Sequence, residues 1–156
     1  MARPLAARVV LQEKVRFLGQ GSGEQRVVID YPPPLGDDGG IRGGLELLLM
    51  SLAACAGQTV VWLLRRAGQP VQGCTVEARG ERRDEHPTVL TAIELRFAFE
   101  GFGLDPVAVE RAIGLGERQF CPVWAMLKGS TRITSSYVVR ASTPAVAETA
   151  PDRAIE

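Results

Sequence analysis

Hydrophobic and polar residues alternate in several short segments of this chain and repeat at helical spacing in longer ones. Residues 8–18 and 25–31 (RVVLQEKVRFL and QRVVIDY) predict two strands joined by the glycine-rich turn GQGSGE. The following segment, PPPLGDDGGIRGG, is rich in proline and glycine and predicts a loop. A long helix is predicted over residues 45–67, because Gly68 and Pro70 stop it and Arg65 and Arg66 suit its last turn.

The second half of the chain predicts a hairpin. One face of VQGCTVEARGERR carries Cys74, Val76 and Ala78. The run TVLTAIELRFAFE alternates more clearly and places five apolar residues on one face: Val89, Ile93, Leu95, Phe97 and Phe99. The segment DEHPT is the predicted turn between these two strands.

A second helix is predicted after Asp105-Pro106, a helix-capping acid followed by proline at the first helical position. Cys121-Pro122 interrupts it, and PVWAML predicts a short helical turn. STRITSSYVVR then predicts a last strand with Ile133, Tyr137 and Val139 on a common side.

The order of strands, helix, strands, helix and strand predicts an α+β fold in which helices cover a mainly antiparallel sheet. Residues 1–140 are expected to form a single domain. Residues 141–156 are rich in alanine and proline without a periodic pattern, so a disordered tail is expected there.

Composition narrows the function classes. The 156 residues contain 18 basic and 18 acidic side chains, which gives no reason to expect a nucleic acid or a membrane surface as partner. The apolar run from Leu45 to Leu64 includes Glu46, Gln58 and Thr59, so it predicts a buried helix and not a membrane span. No secretory signal pattern is visible, and a cytoplasmic location is expected. In that compartment three cysteines indicate reactive thiols or packing, not a disulfide framework.

Cys55 lies in the predicted long helix. Helical spacing places it on an apolar face together with Leu48, Leu52, Thr59 and Trp62. Such a position suits either a thiol site in an apolar setting or plain packing, because cysteine often behaves as a small buried hydrophobe.

Cys121 precedes a proline and can cap the short helix PVWAML. Unpaired N–H groups at a helix start stabilise a thiolate and lower the thiol pKa, whereas a merely buried cysteine would have no such role. Cys74 is interpreted as packing within its strand. No metal site is expected, because there is no CxxC pair and the sole histidine, His86, lies in a predicted turn.

Two segments resemble the OsmC/Ohr family of osmotically inducible and organic hydroperoxide resistance proteins. GGLELLLMSLAACAGQTVVWLLRRAG is similar to the family's cysteine helix, and PPPLGDDGGIRGG to the loop before it. QFCPVWAMLKGSTRI resembles the family's second motif, a Cys-Pro-Val sequence followed by a short helix and a strand. The resemblance covers roughly residues 8–140. It implies a long central helix against a curved antiparallel sheet, in an intertwined homodimer.

The resemblance also implies a chemistry. Cys55 would attack an organic hydroperoxide and become a sulfenic acid, and Cys121 would resolve it to a disulfide. A dithiol reductant, lipoyl-type in the organic hydroperoxide branch, would restore both thiols. No cofactor and no metal is implied. An alternative is a non-catalytic OsmC-like dimer that binds an apolar small molecule or acts as a slow redox sensor.

This chain differs from the family's peroxidases at the residues that activate the reactive cysteine. The family's glutamate lies ten residues before the cysteine, where this chain has Leu45; Glu46, nine before, is interpreted as a first-turn acid. Three arginines remain open as candidates for activating Cys55: Arg16, Arg26 and Arg42. A general disulfide oxidoreductase is disfavoured because the chain lacks a close CxxC.

Overall fold

Four short strands form the first sheet of the computed structural model, which describes residues 4–141. They are β1 (Arg8–Glu13), β2 (Arg16–Gln20), β3 (Arg26–Asp30) and β4 (Ile41–Arg42), in that spatial order. The first three pair antiparallel, and β4 adds in parallel to β3. The contacts of this sheet with the long helix are made by β3 and β4, so β1 and β2 extend away from the core.

The prediction of a single strand over residues 8–18 is wrong. The chain reverses at Lys14 and Val15, so that β1 and β2 form a hairpin of their own. Lys14 adopts a positive φ of 47°, a left-handed conformation that suits a tight turn. Because neither turn residue is Gly, Asn or Asp, the sequence pattern contains no turn signal at this point.

Helix α1 (Gly43–Arg66) is the central element of the fold. Four residues at intervals of four form a stripe with no solvent exposure, namely Leu52, Ala56, Val60 and Leu64. In the described part of the chain, α1 alone is long and apolar enough for a membrane span, by length and composition. Its fully buried stripe identifies it here as the core helix of the domain.

The second sheet consists of β5 (Gly73–Arg82), β6 (Leu90–Glu100) and β7 (Arg132–Arg140). β5 pairs antiparallel with β6, and β7 pairs in parallel with β6. The predicted inward face of β6 is confirmed for four of its five residues, which are buried: Ile93, Leu95, Phe97 and Phe99. Val89 is instead 46% exposed. An irregularity in the ladder pairs Arg82 with Leu90, and Leu90 takes the buried place.

Two further helices lie between β6 and β7. Helix α2 (Pro106–Leu115) begins as predicted, with Asp105 Oδ1 accepting a hydrogen bond of 3.0 Å from the Val107 N–H. A five-residue π-helical turn (Gly116–Phe120) follows, and α3 (Pro122–Leu127) completes the segment. Both helices and the turn pack against α1.

The α+β fold with a long cysteine-bearing helix against antiparallel strands is therefore confirmed. The strands form two separate sheets, and each sheet contains one parallel pair. These pairs are parallel because the loop before α1 and the α2–α3 segment each bring the chain back to run in the same direction as the preceding strand. Apart from Ala141, the predicted disordered tail over residues 141–156 lies outside the described residues.

The proline- and glycine-rich loop folds around the carboxylate of Asp30, which is 1% exposed. The backbone N–H groups of Tyr31, Asp37 and Gly39 donate to it, and Arg16 Nε donates over 3.2 Å. A Cβ at Gly36 would overlap Asp30 Oδ1, which explains the glycine at this position. Although burial alone raises the pKa of Asp30, the backbone N–H groups and Arg16 lower it overall.

Acid is expected to destabilise the protein through Asp30. A carboxyl whose pKa is depressed in the folded state stabilises the fold above its unfolded pKa of about 3.9, and this contribution disappears as the pH falls below that value. We expect Asp30→Asn to lower the melting temperature at pH 7 by roughly 5 °C or more, and to flatten the decline between about pH 5 and pH 2. Thermal melts across this range test it, with Asp84→Asn in the exposed β5–β6 turn as control. An Asp30→Asn profile parallel to that of the wild type would contradict the assignment.

Candidate functional site: a pair of thiols

The sulfur atoms of Cys55 and Cys121 lie 3.1 Å apart, although the two residues are 66 positions apart in the chain. Cys121 Sγ is the donor and Cys55 Sγ the acceptor of this contact. Cys121 is buried, at 2% exposure, and Cys55 is partly exposed. Both are free thiols. The structure thus brings together the two cysteines that the sequence motifs singled out.

Local structure explains how each sulfur reaches this place. Cys55 lies on α1 next to the buried stripe, between Leu52 and Ala56, so its side chain is at the margin of the core. Cys121 follows the π-helical turn, whose closing hydrogen bond runs from the Cys121 N–H to the Gly116 carbonyl over 2.9 Å. Gly116 is buried against α1, because a Cβ built on it would lie 3.4 Å from a Val60 methyl group. The turn therefore fixes Cys121 against the middle of α1, and π-helical turns of this kind often occur at functional sites.

The predicted capping position of Cys121 is confirmed, since its extended backbone precedes Pro122 at the first turn of α3. Of the two alternatives for its thiol, a lowered pKa at a helix start or plain burial, burial has the larger effect on the pKa. Burial and the hydrogen bond donated to Cys55 raise the pKa of the Cys121 thiol to about 11. The N–H groups of Trp124 and Val123 oppose this shift only in part, and the side chain makes no capping hydrogen bond. The rise in the Cys121 pKa caused by desolvation is larger than the fall caused by the positive potential at the start of a six-residue helix.

This arrangement distinguishes the two thiols chemically. At neutral pH Cys121 retains its proton and points it at Cys55. Cys55 is partly exposed and Cys121 is buried, so Cys55 is the sulfur that a small molecule can reach first.

An aromatic pair lies beside the thiols. Trp62 is two turns of α1 beyond Cys55, and Phe120 directly precedes Cys121; their rings meet edge to face at 6.0 Å. The Arg66 guanidinium lies over the Trp62 ring at 4.9 Å. The predicted apolar helix face is thus only partly buried, because Trp62 remains 47% exposed. No sequence motif pointed to the Trp62–Phe120 contact, which depends on the π-helical turn.

The remaining polar candidates make other interactions. Arg16 binds Asp30 and Glu13, and Arg42 forms a two-pronged ion pair with Asp38 at 2.7 and 2.8 Å. Arg26 is exposed on β3. Glu46 accepts a hydrogen bond from the Arg42 backbone N–H, which supports its interpretation as a first-turn acid that closes the helix start.

Cys74 lies on β5 and contributes to the wall of a separate apolar groove against α1. Burial raises the pKa of its thiol, in keeping with the interpretation as packing. Within residues 4–141 there is no cluster of three His, Cys, Asp or Glu side chains that could hold a metal ion.

The chain combines a long helix that carries one cysteine, a second cysteine after a π-helical turn, and two sheets. These features place it in a class of α+β proteins with a pair of thiols. The family model described as "OsmC-like protein" matches residues 37–136. Protein YhfA of Escherichia coli K12 is 34% identical over 139 residues, which cover 88% of this chain and all of YhfA. The chain belongs to the OsmC-like family.

Solved structures share the fold. A hypothetical protein from Aquifex aeolicus is 26% identical and superposes with a TM-score of 0.80, covering 91% of this chain and 100% of that one. An organic hydroperoxide resistance protein from Elizabethkingia anophelis is 14% identical, with a TM-score of 0.65 and coverage of 90% and 99%. At that identity the second likeness concerns the fold alone.

Proposed function

We propose that this protein is a thiol peroxidase that reduces organic hydroperoxides through Cys55, with Cys121 as the resolving cysteine. The observation that carries the proposal is the 3.1 Å contact between the two sulfurs, with the S–H group on Cys121. Family membership and the fold shared with a hydroperoxide resistance protein support the same chemistry.

In the first step the Cys55 thiolate attacks the outer oxygen of the hydroperoxide, ROOH. The O–O bond breaks, the sulfur loses two electrons and becomes a sulfenic acid, and the alkoxide takes a proton to leave as the alcohol ROH. Cys55 is partly exposed, so the hydroperoxide can reach its sulfur, while the buried Cys121 stays in contact with the sulfenic acid that forms.

In the second step the Cys121 sulfur attacks the sulfenic sulfur. An S–S bond forms, the S–O bond breaks, and the sulfenic hydroxyl takes the thiol proton of Cys121 and leaves as water. Because the two sulfurs already lie in contact, this step requires only a small local movement. A dithiol, lipoyl-type in this proposal, then exchanges with the disulfide, is oxidised to its own disulfide and returns both cysteines to thiols.

The assembly in this proposal is a homodimer in the cytoplasm. Strand β1 is exposed along its whole length, and its apolar residues Val9, Val10 and Leu11 are each more than 40% exposed. An apolar edge strand without cover is a liability in a lone chain, and a second copy would cover it.

Counting thiols tests the proposal directly. The reduced chain contains three free thiols, and one equivalent of cumene hydroperoxide is expected to remove two of them. Cys74→Ser should leave two thiols, both of which disappear on treatment, because Cys74 takes no part. Titration with a chromogenic disulfide under denaturing conditions gives the count. Persistence of all three thiols would refute the proposed function.

A further inference from the structure

A cavity of about 400 Å³ opens between the end of α1 and helix α2. The wall from α1 includes Leu63, and the floor is formed by Leu64 and Ala112, which are buried in the core. The wall from α2 consists of Val107, Ala108 and Leu115. Volume and lining are those of a small-molecule site, since such sites are concave, mostly apolar and lined by a few polar groups.

The polar groups at the cavity are predominantly cationic. Arg66 and Arg111 line it, and Asp105 is the one acid among the lining residues. The Asp105 carboxylate already accepts the Val107 N–H as the cap of α2. Arg111 has no ion pair or side-chain hydrogen bond with any residue in the range 4–141. Within the described residues, the second cation, Arg66, contacts the Trp62 ring, a weak partner that a carboxylate could displace.

We propose that this cavity binds a medium-chain fatty carboxylate, with the acyl chain against Leu64 and Ala112 and the carboxylate at Arg66 and Arg111. An open apolar cavity with an unpaired guanidinium at its rim complements a ligand that has an apolar body and an anionic head. The size suits a chain of roughly eight to ten carbons. The inference does not depend on the peroxidase chemistry, because such a ligand carries no peroxide.

Decanoate is the probe, titrated calorimetrically into the reduced full-length protein. We expect one site per chain, and binding at least about tenfold weaker for Arg111→Gln, because a charge-assisted hydrogen bond is lost. Ala108→Leu should also weaken binding by filling the cavity. Arg65→Gln is the matched control, because Arg65 is an exposed cation in the same helical turn that does not line the cavity. Decanol, which lacks the charge, should bind at least about tenfold more weakly than decanoate.

Three outcomes would overturn the proposal. The first is absence of binding up to about millimolar decanoate. The second is equal loss in Arg65→Gln and Arg111→Gln, which would indicate attraction to general positive charge. The third is a change of oligomeric state in Arg111→Gln or Ala108→Leu by sedimentation, without decanoate binding; the cavity would then be a contact between copies of the chain.

Discussion

Replacing Cys55 by serine is expected to reduce the turnover of cumene hydroperoxide by at least about a thousandfold, because a hydroxyl at this site is a far weaker nucleophile than a thiolate. The substitution is nearly isosteric and Cys55 is only partly buried, so the fold should persist. Loss of peroxide, followed with a dithiol reductant in excess, is the measurement. Undiminished turnover in Cys55→Ser would exclude Cys55 as the nucleophile.

The Cys121→Ser variant separates the two steps. It should still consume about one equivalent of peroxide, because Cys55 remains, but its sulfenic acid cannot be resolved within the chain. Trapping with dimedone and mass spectrometry should then locate one adduct at Cys55. Cys74→Ser serves as the matched control, and its turnover should stay within about twofold of the wild type. An adduct at Cys74 instead of Cys55 would contradict the assignment.

The second large effect concerns Trp124, which is 1% exposed and lies three residues after Cys121 on α3. Its indole Nε1 has no hydrogen-bond partner among the described residues, so its N–H group opposes folding while the ring favours it. Truncation to alanine is expected to lower the free energy of unfolding by about 3–5 kcal/mol, because it leaves a cavity against α1.

Trp124→Phe should cost less than about 1.5 kcal/mol, since it retains most of the ring and removes the unpaired N–H. Urea denaturation in the presence of a reductant measures both variants. Phe102→Ala, at a site that is 68% exposed, is the control and should change the free energy of unfolding by less than about 0.5 kcal/mol. Equal losses for the phenylalanine and alanine variants would contradict this account of the Trp124 site.

The sequence predicted those helices and strands whose position depends on residues close together in the chain. Asp105-Pro106 identified the start of α2, because a cap and a fixed φ act on adjacent residues. Alternation identified the inward face of β6 up to the ladder irregularity near Leu90. Lys14, by contrast, turns the chain without a turn residue, since its conformation is imposed by the pairing of β1 with β2.

The site was predictable in its residues but not in its electrostatics. The two motifs identified Cys55 and Cys121 as a pair only through resemblance, because contact over 66 positions is a product of tertiary packing. The pKa of Cys121 depends on burial that no local pattern reveals, so the capping position suggested the opposite direction. Trp62 and Phe120 meet because of the π-helical turn, which has no reliable sequence signal.

The distance of 66 positions between the paired sulfurs also links redox state to resistance against unfolding. A disulfide between Cys55 and Cys121 would close a loop of chain that contains β5, β6 and α2. The resulting loss of conformational entropy in the denatured chain corresponds to about 4 kcal/mol of free energy. The oxidised protein would then unfold at a higher temperature than the reduced one. During each turnover the protein would alternate between a more stable and a less stable form of the same fold.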